Sequence, residues 1–247
     1  MKIVITELEK PTVIRRTVSF AEAIFEGEFE VEGVTAKQAS DVDEVLKIIN
    51  EHKLPIIVDP KTEIVRKISS DVVVDATMAK KNIGTKITDA PIVIGLGPGF
   101  KAGLDVHAVV ETKRGHNLGK VIFHGEAERN TGIPGEVFGY TVERVLRAPC
   151  NGVFKSIKKI GDLVEKGEQV ASVDNQSVTS QISGVIRGLL HEDLPVTKGY
   201  KIGDVDPRKV PEYCFTISDK ARAIGGGVLE AILNLYKKSS SSKVNQA

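Results

Sequence analysis

Tryptophan is absent from this 247-residue chain, cysteine occurs twice, and neither sign of charge is in surplus. The last two shortages each narrow the functions open to the chain. Lys and Arg number 34 against 33 Asp and Glu, a formal net charge of +1. That balance creates no long-range field to gather nucleic acid or anionic lipid, so no nucleic-acid partner is expected. The most apolar stretches, residues 72–74 and 91–96, fall far short of the ~20 residues that cross a bilayer, so no membrane partner is expected. The opening MKIVITELEK sets charges inside what would be the apolar core of a secretion signal. Cys150 and Cys214 lie 64 positions apart and form no close-spaced redox or metal-ligand pair. A reducing, cytoplasmic compartment is the simplest fit. Histidines at 52, 107, 116, 124 and 191 show neither HxH nor HExxH spacing, so no metal site is predicted.

What is present is glycine, 23 residues of it, in a chain long enough for two domains. Residues 3–8 form a predicted strand stopped near Pro11. Ser19 and Glu22 make a capping-box pattern for a short helix over 20–26. Asp41 caps a second helix over 41–50, with Val42, Val45, Leu46 and Ile49 on one face. Residues 55–59, 71–76 and 91–97 are unbroken apolar runs, the pattern of strands buried on both faces. Residues 1–104 are therefore predicted to be an α/β domain with a parallel or mixed sheet. A hairpin and ordered loop are predicted over 105–147, and a helical segment over 211–238 with Leu229, Ile232, Leu233 and Tyr236 as its apolar stripe. The closing SSSSKVNQA, residues 239–247, lacks apolar content and is predicted to be a disordered tail.

Two segments match at an offset of 32 residues: Gly152/Gly184, Val153/Val185, Val164/Val196, Lys166/Lys198, Gly167/Gly199, Val173/Val205 and Asp174/Asp206 are identical pairs. Neither unit is large enough to bury its own apolar face, so the two are expected to pack on each other about a pseudo-twofold. Residues 148–210 thereby resemble the biotinyl/lipoyl barrel-sandwich hybrid. Members of that family carry a modifiable lysine on the hairpin joining the halves. Here residues 168–184 contain no lysine, which implies a packing or docking module and no swinging arm.

Several loops are candidates for chemistry. Gly95, Gly97 and Gly99 follow a buried run and could aim backbone N–H groups at a phosphate. A tight turn at the sheet edge explains them equally, since the spacing is not GxGxxG and Pro98 removes a donor. Arg114 suits a bidentate anion contact and His116 titrates near neutrality, although a solvated hairpin tip would look the same. Arg15, Arg16 and Ser19 could form an anion site at a helix start or a surface charge pair. Asn130 and Thr131 sit in a loop held by glycine and proline, as binding loops often are. Cys150 is a nucleophile or a small buried filler. Gly225 and Gly226, within a triple glycine, mark close packing, a helix break, or an anion contact at the start of a second helix.

Taken in order, residues 7–11 (ELEKP), 15–23 (RRTVSFAEA), 75–80 (DATMAK), 95–100 (GLGPGF), 110–116 (VETKRGH), 130–135 (NTGIPG) and 225–227 (GGG) resemble the YqeB-like family. These are accessory proteins of the selenium-dependent molybdenum hydroxylase system. The resemblance implies an incomplete Rossmann-like N-terminal domain, because members begin with a further strand, a GxGD-like turn and a helix ahead of the equivalent of residues 3–8. It also implies a sheet edge that a second copy would cover, hence a homo-oligomer. The implied role is maturation or supply of a molybdenum hydroxylase, with that hydroxylase or its maturation machinery as partner. A nucleotide or molybdopterin-type ligand is the class of cofactor the polar loops suit. Two alternatives stand beside it: an enzyme acting on a nucleotide or a sulfur or selenium donor through Arg114, His116 and Cys150, and a non-catalytic interaction scaffold.

Overall fold

In the computed structural model, the backbone of residues 1–244 and the side chains of residues 1–237 are described, and the apolar runs before and after residue 62 enter different sheets. The first comprises β1 (Ile5–Glu7), α1 (Ala23–Glu26), β2 (Glu28–Val31), β3 (Val34–Ala39), α2 (Val42–Asn50) and β4 (Leu54–Val58). Its strand order is β1-β4-β3-β2, with β1 and β3 parallel to β4 and β2 antiparallel at the edge. No strand is predicted for β2, yet its glutamates alternate with Phe29 and Val31, the period-two signal of a half-buried strand.

The caps form largely as the residue types dictate. Asp41 Oδ1 accepts from Glu44 N at 2.9 Å, while the Glu44 carboxylate returns to Ser40 N at 2.8 Å, one residue earlier than a capping box requires. Burial on α2 centres on Val45 and Ile48, so Leu46, expected inward, is 51% exposed. Ser19 Oγ accepts from Ala21 N, but Glu22 turns to Arg16 instead of closing the box.

A second group follows: α3 (Ile64–Lys67), β5 (Val72–Asp75), β6 (Ile92–Leu96), β7 (Lys101–Ala102), β8 (Ala108–Val110), β9 (Val121–Ile122) and β10 (Gly125–Glu126). Here the order is β5-β6-β8-β9, three parallel strands with β9 antiparallel, while β7 and β10 form their own ladder. The single domain expected over 1–104 is thus corrected. Two separate interiors form: Ala23, Ala36 and Ile56 are buried together in the first, whereas Ile92, Ile94, Leu96 and Val110 are buried with residues of the C-terminal helix in the second. The chain accordingly divides into two units, Met1–Thr62 with Ile133–Ile217, and Glu63–Gly132 with the segment from Ser218 onward. The linear division at 104, 147 and 210 is replaced by this interleaved one.

The rest of the first unit is β11 (Val145–Arg147), β12 (Gly152–Ser156), β13 (Leu163–Val164), β14 (Gln169–Val173), β15 (Gln176–Thr179), β16 (Gly184–Leu189), β17 (Pro195–Val196), β18 (Lys201–Asp206) and α4 (Glu212–Phe215). Two four-stranded sheets result, β11-β18-β16-β13 and β15-β14-β12-β17. A shift of 32 residues carries β11, β12, β13 and β14 onto β15, β16, β17 and β18, so the repeat holds one strand more than the identical pairs indicate. Each sheet also borrows the short third strand of the other repeat's set, β13 in one and β17 in the other. Phe154, Val164 and Val173 share one buried cluster with their equivalents Ile186, Val196 and Val205. Glycine is required where the repeats close: a Cβ on Gly152 would overlap the Asp174 carboxylate, and one on Gly184 would meet the Asp206 carbonyl oxygen at 2.5 Å.

The chain ends in α5 (Asp219–Val244), a single helix. Ile224, Val228, Ala231, Ile232 and Leu235 cover the second sheet. Of the predicted stripe only Ile232 faces inward; Leu229, Leu233 and Tyr236 are exposed, because the face that meets the sheet is rotated toward Val228 and Ala231. The tail predicted from 239 continues the helix to Val244, and residues 245–247 lie outside the described part. Among the described residues, no helix is long and apolar enough to cross a membrane.

Candidate functional site

Parallel sheets place ligands beyond the carboxyl ends of their strands, where loops and backbone dipoles converge. At that end of β5, β6 and β8 two loops meet on one carboxylate. Glu111, 2% exposed, accepts from Thr112 N and Lys113 N through Oε1 and from Glu128 N through Oε2, each at 2.8 Å. Its neighbour Thr112 lies where a Cβ on Gly97 would point, which joins the 95–99 turn to the same hub. At the end of β5 the buried Asp75 holds the next loop, accepting from Thr77 N at 3.0 Å, Thr77 Oγ1 at 2.7 Å and Thr85 Oγ1 at 2.5 Å. Within that loop Met78 and Lys80 take left-handed φ values of 55° and 65°, conformations that side chains other than glycine and asparagine rarely adopt.

Cations crowd this edge. Lys113 is paired with Glu128 at 2.5 Å, and Arg114 grips Asp219, in the first turn of α5, with bonds of 2.6 and 2.9 Å. The pairing lifts the exposed Lys113 ammonium above its usual range. Lys80 and Lys220 behave oppositely. Desolvation lowers both, and Lys220 is lowered further by Lys80 and Arg114. Among the described residues neither lysine joins an acid in an ion pair. Glu111 and Asp219 offset part of this repulsion at Lys220, and a bound anion would offset more.

The sequence-predicted residues divide around this point. Arg114 and the glycines at 95, 97 and 99 belong to it, but the glycines serve a folded-back turn. A Cβ on Gly95 would meet the Phe100 ring at 2.5 Å, and one on Gly99 would meet the Lys81 backbone at the same distance. His116 sits exposed at the hairpin tip. Asn130 Oδ1 accepts from Gly132 N at 3.3 Å, and Thr131 is exposed beside it. Gly225 and Gly226 are exposed in mid-helix, so no second helix begins there; Gly227 is the close-packed member, against the Gly119 carbonyl. Arg15, Arg16, Ser19 and Cys150 belong to the other unit. Arg15 donates to the carbonyls of Tyr213 and Thr216, Arg16 binds Glu22, and Cys150 is a half-buried filler against the repeat core. Burial, then Arg187, lowers Arg15 to about 10.

Glu111, Asp75, Lys80 and Lys220 carry the site's architecture and have no periodic or spacing signal of their own. The first three fall inside stretches that carry the family resemblance, which was the one available pointer to them.

No protein-family model matches the chain. YqeB of Escherichia coli strain K12, described as an uncharacterized protein, is 49% identical over 234 residues, 95% of this chain and 43% of that protein. The chain therefore spans less than half of that relative's length. Among solved structures, product-bound EutE (DoeB) of Ruegeria pomeroyi aligns over 83% of this chain and 84% of its own, with 10% identity and a TM-score of 0.25. An aspartoacylase family protein of Mesorhizobium loti aligns over 26% of this chain and 22% of its own, with 15% identity and a TM-score of 0.24. Scores this low carry no argument about fold or function. Over its matched residues the chain is similar to YqeB, and its motifs resemble that protein's family.

Proposed function

We propose that this chain is an accessory protein of the selenium-dependent molybdenum hydroxylase system, which binds an anionic cofactor intermediate, of nucleotide or molybdopterin type, at the carboxyl edge of the second sheet. The observation that carries this reading is the convergence of Lys80, Arg114 and Lys220 around loops held by Glu111. The biological setting is taken from the family that the sequence motifs resemble. In this account the two repeated sheets of the first unit are a barrel-sandwich hybrid without a carrier lysine, offering a rigid surface for the apo-hydroxylase or its maturation machinery.

Native mass spectrometry of the chain with molybdopterin nucleotide, and separately with apo-hydroxylase, tests the proposal. A stoichiometric complex with the nucleotide is expected. Absence of any complex with either component at tens of micromolar would remove it.

A further inference from the structure

A different cluster forms in the first unit, far from any spacing pattern in the sequence. Glu22 ends the 3-10 turn Phe20–Glu22, Glu26 ends α1, and His191 follows β16 by two residues. One ligand atom from each lies within 4.8 Å of the others. The two glutamates are four positions apart, which puts them on one side of the helical turn. The histidine comes from 165 positions away, so no sequence motif could have paired it with them.

Three further contacts hold these groups as a metal's outer shell holds its ligands. His191 Nδ1 lies 3.1 Å from the carbonyl oxygen of Glu192. As a donor to that carbonyl it leaves Nε2 with its lone pair free, the tautomer that a ligating imidazole needs. The ring is fixed in direction by Phe25, stacked with centroids 3.9 Å apart and planes 13° from parallel. Arg16 Nη1 holds Glu22 Oε1 at 2.6 Å while its Nε donates to the Leu189 carbonyl, tying the glutamate to the strand that leads to His191. Glu22 is 7% exposed and keeps its second oxygen for another partner. Glu26 is exposed and can swing. Ligands about 2.0–2.2 Å from one ion sit closer together than 4.8 Å, so binding draws the three groups inward, and the exposed Glu26 is free to follow.

We propose that Glu22, Glu26 and His191 bind a first-row divalent transition metal ion, of the zinc or cobalt type. One imidazole nitrogen with two carboxylate oxygens suits such an ion better than magnesium or calcium, which favour all-oxygen shells. Three protein ligands leave a tetrahedral ion one position for water. The carboxylates supply two negative charges and Arg16 offsets one, which leaves a net attraction for a dication.

The test uses the full chain, stripped with chelator and titrated with Co2+ while its visible absorption and the binding heat are followed. The glutamate variant is Glu26→Gln; the histidine variant is His191→Phe, which keeps the stack on Phe25 and removes the nitrogen. His116→Gln, an exposed histidine of the other unit, is the control. One equivalent is expected to bind, with affinity at least about tenfold weaker in both ligand variants and unchanged in the control. Thermal unfolding of the metal-free proteins identifies any variant that fails to fold, and Glu26→Gln, at an exposed position, decides the matter if His191→Phe does. No saturable binding, or equal affinity in wild type and Glu26→Gln, overturns the proposal.

Discussion

Glu111 and Glu128, both acids, are joined directly: the backbone N–H of Glu128 donates to Glu111 Oε2 at 2.8 Å. The second oxygen of the same buried carboxylate takes two more backbone N–H groups, from Thr112 and Lys113. Charge-assisted bonds of this kind are stronger than neutral ones and fix loop geometry without regular secondary structure. Residues 111–114 and 126–128 are thereby held together, and with them the pairs Lys113–Glu128 and Arg114–Asp219.

Replacing this carboxylate by an amide leaves one good acceptor oxygen where two are used. Glu111→Gln is expected to cost about 1–3 kcal/mol, the range for stranding a buried partner. Hydrogen exchange at Glu128, Thr112 and Lys113 should accelerate. Unchanged exchange at all three would show that the loops are held by other means.

Glycines 225–227 separate cleanly by position. Nothing lies within 4 Å of a Cβ on Gly225 or Gly226, whereas a Cβ on Gly227 would overlap the Gly119 carbonyl. Gly225→Ala and Gly226→Ala should each stabilise the second unit by up to about 1 kcal/mol through helix propensity. Gly227→Ala should destabilise it, by about 1–3 kcal/mol of overpacking. Chemical denaturation of the three variants checks the order, and equal effects would refute the packing assignment.

The elements whose signal is local were legible: the Asp41 cap, the apolar strands, the lysine-free tip, and the 32-residue offset. The pairing of strands was not, because two short mixed sheets and one long sheet have the same pattern of apolar runs. The second unit also closes through a helix more than a hundred residues downstream, a contact with no periodic signature. At the candidate site Arg114 was visible as a cation in a polar turn. Lys220, looking like an ordinary first-turn residue of a helix, was not.

In the repeat core Phe154 and Ile186 occupy equivalent positions and are both fully buried. Phe154→Ala is expected to cost about 3–5 kcal/mol and Ile186→Ala about 2–5 kcal/mol, and either loss should loosen both sheets together. Hydrogen exchange localised to one sheet would contradict a shared interior.

Asp206 sets an acid limit on the first unit. Burial would raise its carboxyl, but hydrogen bonds from the Arg208 side chain and backbone, with the charges of Arg208 and Arg187, hold it below the ordinary aspartate range. A depressed acid contributes stability that is present above its unfolded pKa, 3.8, and lost as pH falls through the folded value. Denaturation of wild type and Asp206→Asn from neutral pH into acid should show the wild type losing stability more steeply below about pH 4. Parallel curves would assign the acid sensitivity elsewhere.

The measurement that bears most directly on the proposed anion site is a calorimetric titration of molybdopterin nucleotide into the full chain and into Lys220→Ala and Lys80→Ala, at two salt concentrations. Saturable binding to the wild type, weakened by salt and by about tenfold or more in each variant, is the expected result, since loss of a charged contact is worth about 1.5–3 kcal/mol. Undiminished binding in both variants would contradict the account.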